Sequence, residues 1–182
     1  VDGVLFSKDM TTLKLYSDAK INASYAIPDG VTEIGFSAFS GCTSLTKVTI
    51  PNSVTGIGDY AFQGCTSLKE ITIPNSMTEI SNYAFSGCTS LTKVTIPDSV
   101  TKIGYGAFSG CTRLKEVTIP NNVTIISSYN REDAFENCTN LTKLTIYGYE
   151  TSIYAFRSCT SLTIYCYRNS LAHVEALNDG VP

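Results

Sequence analysis

The chain has 182 residues, with 13 Lys and Arg against 16 Asp and Glu and a formal net charge of −3. That balance supplies no basic field for a nucleic-acid backbone, no apolar run reaches the roughly 18 residues of a membrane span, and no charged leader followed by an apolar stretch opens the sequence. These features argue against a nucleic-acid partner and against membrane insertion by this segment, and a start at Val1 rather than Met reads as a processed or excised piece.

Four stretches repeat at a spacing of 23 residues, beginning at Ala38, Ala61, Ala84 and Ala107, and the Ala-Phe pair that opens them recurs at Ala134 and Ala155. A unit that short cannot bury its own apolar face, so it becomes stable only by stacking on copies of itself. The period therefore predicts one solenoid domain over 1–182. Within each unit the pattern of Leu45, Val48 and Ile50 alternates as a strand does when one face is covered. Strands are predicted near 24–27, 45–50, 68–73, 91–96, 114–119, 141–146 and 162–166, which makes about seven laps. Pro51, Pro74, Pro97 and Pro120 follow the strands directly; lacking a donor N–H, proline suits the point where a chain leaves a ladder. A return segment anchored by residues such as Val54 and Ile57 then leads to a helical-looking turn around Tyr60, Ala61 and Phe62. Laps of this kind stack their strands into one parallel sheet. With about 4.8 Å between strands of roughly five residues, its open face measures about 30 by 17 Å. On the order of 500 Å², this is less than the roughly 800 Å² per partner of a standard interface.

Two outward columns cross that face. One reads Lys47, Glu70, Lys93, Glu116, Lys143, an alternation that favours correct stacking because opposite charges meet across neighbouring strands. The other reads Thr49, Thr72, Thr95, Thr118, Thr145, which suits exposed strands. Tyr60, Tyr83 and Tyr154, just before the Ala-Phe pairs, are placed for packing along the return side.

Seven cysteines fall at 42, 65, 88, 111, 138, 159 and 166, six of them in one column of the repeat. Metal sites need clustered ligands such as C-x-x-C, which are absent, and parallel side-chain vectors on stacked laps give poor disulfide geometry. The column is expected to hold free, buried thiols acting as small apolar groups. The one histidine, His173, is placed in the terminal helix off its Leu171, Val174 and Leu177 face and is expected to be solvated; Cys159, Cys166 and His173 lie seven apart in turn, but the first two read as inward core positions. Glu70 and Glu116 stand two laps apart, but Lys93 should lie between them, so a structural ion ladder is favoured over an acid-base pair. No catalytic constellation, metal site or cofactor motif is present in the sequence, and a non-catalytic chain is expected.

The repeat breaks in two places, and binding residues favour loops on rigid scaffolds. The lap between Pro120 and Ala134 gains four residues relative to that between Pro51 and Ala61, bringing in Tyr129 and Arg131. In the next lap the expected proline is Tyr147, followed by Gly148 and Tyr149. In the last strand Ile164 and Cys166 should face inward and Tyr165 and Tyr167 outward beside Tyr147. A tyrosine offers an apolar ring plus a hydroxyl, a combination enriched at binding hot spots. Together with Lys93, Glu116 and Lys143, these tyrosines and Arg131 form the candidate ligand-binding set. Beyond them, Ser170 is placed to N-cap a short helix whose Leu171, Val174 and Leu177 share one face and close the last lap.

The lap L-x-x-V-x-I-P-x-S-V-x-x-I-x-x-x-A-F-x-x-C resembles the BspA-like branch of leucine-rich repeat proteins over nearly the whole chain. The opening from Asp2 to Asp9 with Leu13, Lys14, Leu15 and Tyr16 is similar to that family's N-terminal hairpin cap, and the ending from Asn169 to Leu177 to its terminal helix. The resemblance implies an α/β solenoid, a right-handed horseshoe-like superhelix with a cap over 1–20, repeats over 21–167 and a second cap over 168–182. It also implies a location at a microbial cell surface and adhesion to a protein or glycan ligand on a host or neighbouring cell. The alternatives are a structural spacer and, less favoured, an enzyme.

Overall fold

The computed structural model describes residues 3–127, 133–148, 156, 158–159, 161–168 and 170. The chain opens with β1 (Val4–Phe6) and β2 (Thr12–Tyr16), an antiparallel hairpin in which Leu5 stands opposite Leu15. The laps follow as β3 (Ser24–Ala26), β4 (Glu33–Ile34), β5 (Lys47–Thr49), β6 (Gly56–Ile57), β7 (Glu70–Thr72), β8 (Glu79–Ile80) and β9 (Lys93–Thr95). They continue as β10 (Lys102–Ile103), β11 (Glu116–Ile119), β12 (Ile125–Ile126), β13 (Lys143–Ile146) and β14 (Thr163–Cys166). β3, β5, β7, β9, β11, β13 and β14 form one seven-stranded sheet in that order, parallel throughout.

Three expectations need correction. Strands of the sheet are three or four residues long, shorter than the five expected, because tight turns claim their flanks. The Leu45 N–H donates to the Cys42 carbonyl at 3.2 Å and the Val54 N–H to the Pro51 carbonyl at 3.1 Å. The sheet is also not alone: the return segments form ladders of their own, β2-β4-β6 and β8-β10-β12. Finally, the described residues contain no helix, so the fold is a β-solenoid rather than α/β. At the turn around Ala61, Tyr60 takes φ 60° and Gly64 φ 68°, and left-handed residues at both ends stop a right-handed helix. The terminal helix expected beyond Ser170, and His173 within it, lie outside the described residues.

The core is a spine of rings. Phe39, Phe62, Phe85, Phe108, Phe135 and Phe156 stack with centroids 4.8, 5.3, 5.3, 5.1 and 4.9 Å apart and planes within 12° of parallel. Tyr16 of the hairpin tops the stack 5.1 Å from Phe39, covering what would otherwise be an open apolar end. At the base of the rings the laps are joined by backbone bonds, the Phe62 N–H to the Ala84 carbonyl and the Phe85 N–H to the Ala107 carbonyl, each 2.8 Å. The carbonyls of the same phenylalanines explain the cysteine column. Each thiol reaches back one lap: the Cys65 Sγ lies 3.0 Å from the Phe39 carbonyl, Cys88 3.2 Å from that of Phe62, and Cys111 3.3 Å from that of Phe85. Sulfur is small and apolar enough for the core and still donates weakly. All seven cysteines are free.

The return ladder is interrupted once, between β6 and β8. Elsewhere a glycine lets the laps close: the Gly58 N–H donates to the Ile34 carbonyl at 2.7 Å and the Gly104 N–H to that of Ile80 at 2.8 Å. A Cβ on Gly58 would lie 2.7 Å from the Phe36 nitrogen. The intervening lap carries Ser81 at this place, whose hydroxyl, not its N–H, reaches the Ile57 carbonyl. Ser127 keeps its backbone bond to Ile103 at 2.8 Å, so a serine alone does not open the ladder. Here the Asp59 carboxylate is a second wedge, accepting from the Asn82 N–H at 3.0 Å and the Asn82 Nδ2 at 3.3 Å. The result is a crevice of about 370 Å³, flanked by Glu33 and Glu79. Ser81→Gly is expected to close it, raising amide protection of Glu79 and Ile80 about tenfold or more in hydrogen exchange. Unchanged protection would leave the wedge to Asp59.

Candidate ligand-binding groove

The outward charge column has the register its sequence suggests: Lys47 pairs Glu70, Glu70 pairs Lys93, Lys93 pairs Glu116, and Glu116 pairs Lys143. Among the described residues none of these neighbours closes to an ion pair; the pair that does is Lys102 with Glu79, 3.7 Å apart on the return side. Exposed side chains lose more by ordering than they gain in water's dielectric, so the column supplies register more than bond energy. Lys93 also separates Glu70 from Glu116, which removes them as an acid-base pair. Lys93→Glu would set three carboxylates side by side and is expected to cost about 1 kcal/mol or less in a denaturant titration, with most of the loss recovered in 1 M salt.

The column's C-terminal half is where the surface becomes concave. A groove of about 390 Å³ crosses β9, β11 and β13, with Lys93, Asp98, Glu116, Thr118, Lys143 and Tyr147 among its walls. A second depression of about 190 Å³ lies between β13 and β14, bounded by Tyr147, Tyr165 and Tyr167. Tyr147 belongs to both, and its position follows from the lost proline. Unlike Pro120, it has an N–H, which donates to the Ile119 carbonyl at 3.1 Å and carries the ladder one residue further, leaving the ring on the rim. Ile164 and Cys166 pack against the core, so Tyr165 and Tyr167 point outward. The three tyrosines are 48, 53 and 47% exposed in chain order. The Lys143 ammonium sits 5.7 Å from the centre of the Tyr165 ring, a cation over an aromatic face that links the charged groove to the aromatic one.

Of the candidate residues, Lys93, Glu116, Lys143, Tyr147, Tyr165 and Tyr167 thus share one continuous face. Tyr129, Arg131 and Tyr149 lie outside the described residues. Asp98 was not among the candidates. Its signal was a carboxylate directly after Pro97, where the laps on either side have Asn75 and Asn121.

The six thiols of the repeat column are unsuited to nucleophilic chemistry. Burial pushes Cys42 and Cys159 up to about 11 and Cys88 up to about 12, and it raises Cys65, Cys111 and Cys138 in the same direction. A thiol is a nucleophile only as thiolate, and these stay protonated at neutral pH. Among the described residues no group of three or more His, Cys, Asp or Glu side chains is arranged to hold a metal ion.

Comparisons with known proteins converge on one family. The model of the BspA type leucine rich repeat region matches residues 14–130 and 80–177, with six copies of the repeat. Among solved structures, a leucine-rich repeat protein of T. pallidum is 27% identical with a TM-score of 0.74, over 97% of this chain and 90% of that one. A leucine-rich cell surface protein of Faecalibacterium prausnitzii is 34% identical with a TM-score of 0.74, over 87% of this chain. The pneumococcal vaccine antigen PcpA is 28% identical with a TM-score of 0.81, over 99% of this chain. The chain spans 41% of the Faecalibacterium protein and 44% of PcpA. No curated protein matches significantly. With the family model covering most of its length, the chain belongs to the BspA-type leucine-rich repeat proteins.

Proposed function

We propose that the chain is a non-catalytic binding module at a bacterial cell surface. It presents the C-terminal half of its open sheet to a protein or glycan ligand on a host or neighbouring cell. In this reading about seven laps form a right-handed, horseshoe-like arc. The observation that carries the reading is the continuity of the charged groove with three half-exposed tyrosines through a shared Tyr147. Aromatic anchors beside satisfiable polar groups are the composition of binding hot spots. The surface location rests on family membership and on the Faecalibacterium relative, described as a cell surface protein. The test is retention of the chain on immobilised extracellular-matrix proteins and on an oligosaccharide array, compared with the triple variant Y147A/Y165A/Y167A. Loss of retention with unchanged thermal melting supports the reading. Retention unaffected by the triple variant, or none on any probe, favours a structural spacer.

A further inference from the structure

We propose, resting on that reading, that the ligand of the groove is a neutral oligosaccharide lying across β9, β11, β13 and β14. The charge of the groove is balanced. The ionic groups lining the larger depression are Lys93 and Lys143 against Asp98 and Glu116, so their charges cancel, and none of the four is consumed in an ion pair among the described residues. An anionic polymer would meet a carboxylate as often as an ammonium, and a basic peptide would meet the reverse. A sugar hydroxyl both donates and accepts. It can donate to the carboxylate of Glu116 or Asp98 and accept from the ammonium of Lys93 or Lys143, without net Coulombic attraction.

Shape and polarity favour the same ligand. The larger depression falls within the about 300 to 1,000 Å³ usual for small-ligand sites and spans three neighbouring strands, which suits a chain molecule. At one end the polar walls give way to Tyr147, Tyr165 and Tyr167. A pyranose has one face of C–H groups and an edge of hydroxyls. Ring faces of tyrosine suit the first and the charged column the second. Tyr147, shared by both depressions, is then the residue a sugar ring would stack on while its neighbour reaches the Lys93 and Glu116 side chains.

The experiment uses the intact chain and an array of neutral gluco-, galacto- and manno-oligosaccharides beside sialylated and sulfated ones, with matrix proteins as a separate arm. The chain has no Trp and 11 Tyr, so its ultraviolet emission reports directly on tyrosine stacking in solution titrations. The expected result is saturable binding to a neutral oligosaccharide whose affinity changes less than about twofold between 0.05 and 0.5 M salt. Tyr147→Ala should weaken it about tenfold or more, whereas Tyr147→Phe, which keeps the ring, stays within about threefold. Strong preference for acidic sugars with steep salt dependence overturns the proposal, and so does binding that Tyr147→Ala leaves intact. Matrix-protein binding lost in the tyrosine variants, with no sugar bound, overturns the sugar but keeps the groove; insensitivity of every probe to those variants removes both.

Discussion

Phe85→Ala should be the most damaging single substitution in the middle of the chain, costing about 3 to 5 kcal/mol, against the about 5 to 15 kcal/mol that holds a typical domain folded. Phe85 is fully buried and stacks at 5.3 Å on Phe62 and at 5.3 Å on Phe108. Truncating it opens a cavity facing two laps at once. In a solenoid, stability is a sum of repeat terms and nearest-neighbour interfaces, so both interfaces of one unit are lost together and the two halves should separate. Urea titration followed by far-ultraviolet dichroism should show a midpoint shifted down by more than 1 M, or two transitions in place of one. Phe85→Leu fills part of the space and should cost less than half as much. If alanine costs about 1 kcal/mol or less, the ring spine is not the principal source of cohesion.

Alkaline pH should unfold the chain abruptly. Five cysteines are fully buried in one column, and burial raises Cys88 from 9.0 to about 12 and Cys42 from 9.0 to about 11. In the unfolded chain thiols lose their protons as pH passes 9, whereas the folded chain holds them until about 11 or 12. Above pH 9 the unfolded state therefore binds fewer protons, and stability falls with rising pH; below pH 9 both states are protonated and the thiols contribute no slope. Each thiol draws about 1.4 kcal/mol per pH unit, so five together reach about 7 kcal/mol per unit, enough to exhaust an ordinary domain's stability before pH 11. Tyr16 and Tyr25, also raised by burial, act in the same direction at higher pH. The double variant C88A/C111A should reduce the slope by about 2 to 3 kcal/mol per pH unit between pH 9.5 and 10.5, whatever it does to stability at pH 7. A slope unchanged by that variant would show the thiols are not the titrating groups.

Periodicity made most of this architecture readable because every lap repeats the same physical problem. Leu45, Val48 and Pro51 marked a strand and its exit, and the lysine-glutamate alternation marked its outward side in the observed register. What single residues could not reveal was how stacked copies interact across laps. Phe39 through Phe156 read as apolar residues near a turn, and only stacking shows them to be a continuous ring spine. The return ladders escaped notice because two-residue strands such as Gly56–Ile57 and Glu79–Ile80 carry no alternation long enough to register. At the groove, Tyr147, Tyr165 and Tyr167 were legible as departures from the repeat. Asp98 was missed because one carboxylate in a column of turn residues looks like ordinary turn chemistry until the groove is seen to include it.

The central claim is that ligand recognition resides on the C-terminal half of the open sheet. Backbone amide chemical shifts, followed while the intact chain is titrated with the probe it retains best, test it most directly. The account predicts that shifts concentrate on Lys93–Thr95, Glu116–Ile119, Lys143–Ile146 and Thr163–Cys166 and on Tyr147 and Tyr167, with the return strands silent. Shifts confined to the hairpin at Val4–Phe6 and Thr12–Tyr16, or to the crevice between Gly56–Ile57 and Glu79–Ile80, would contradict it.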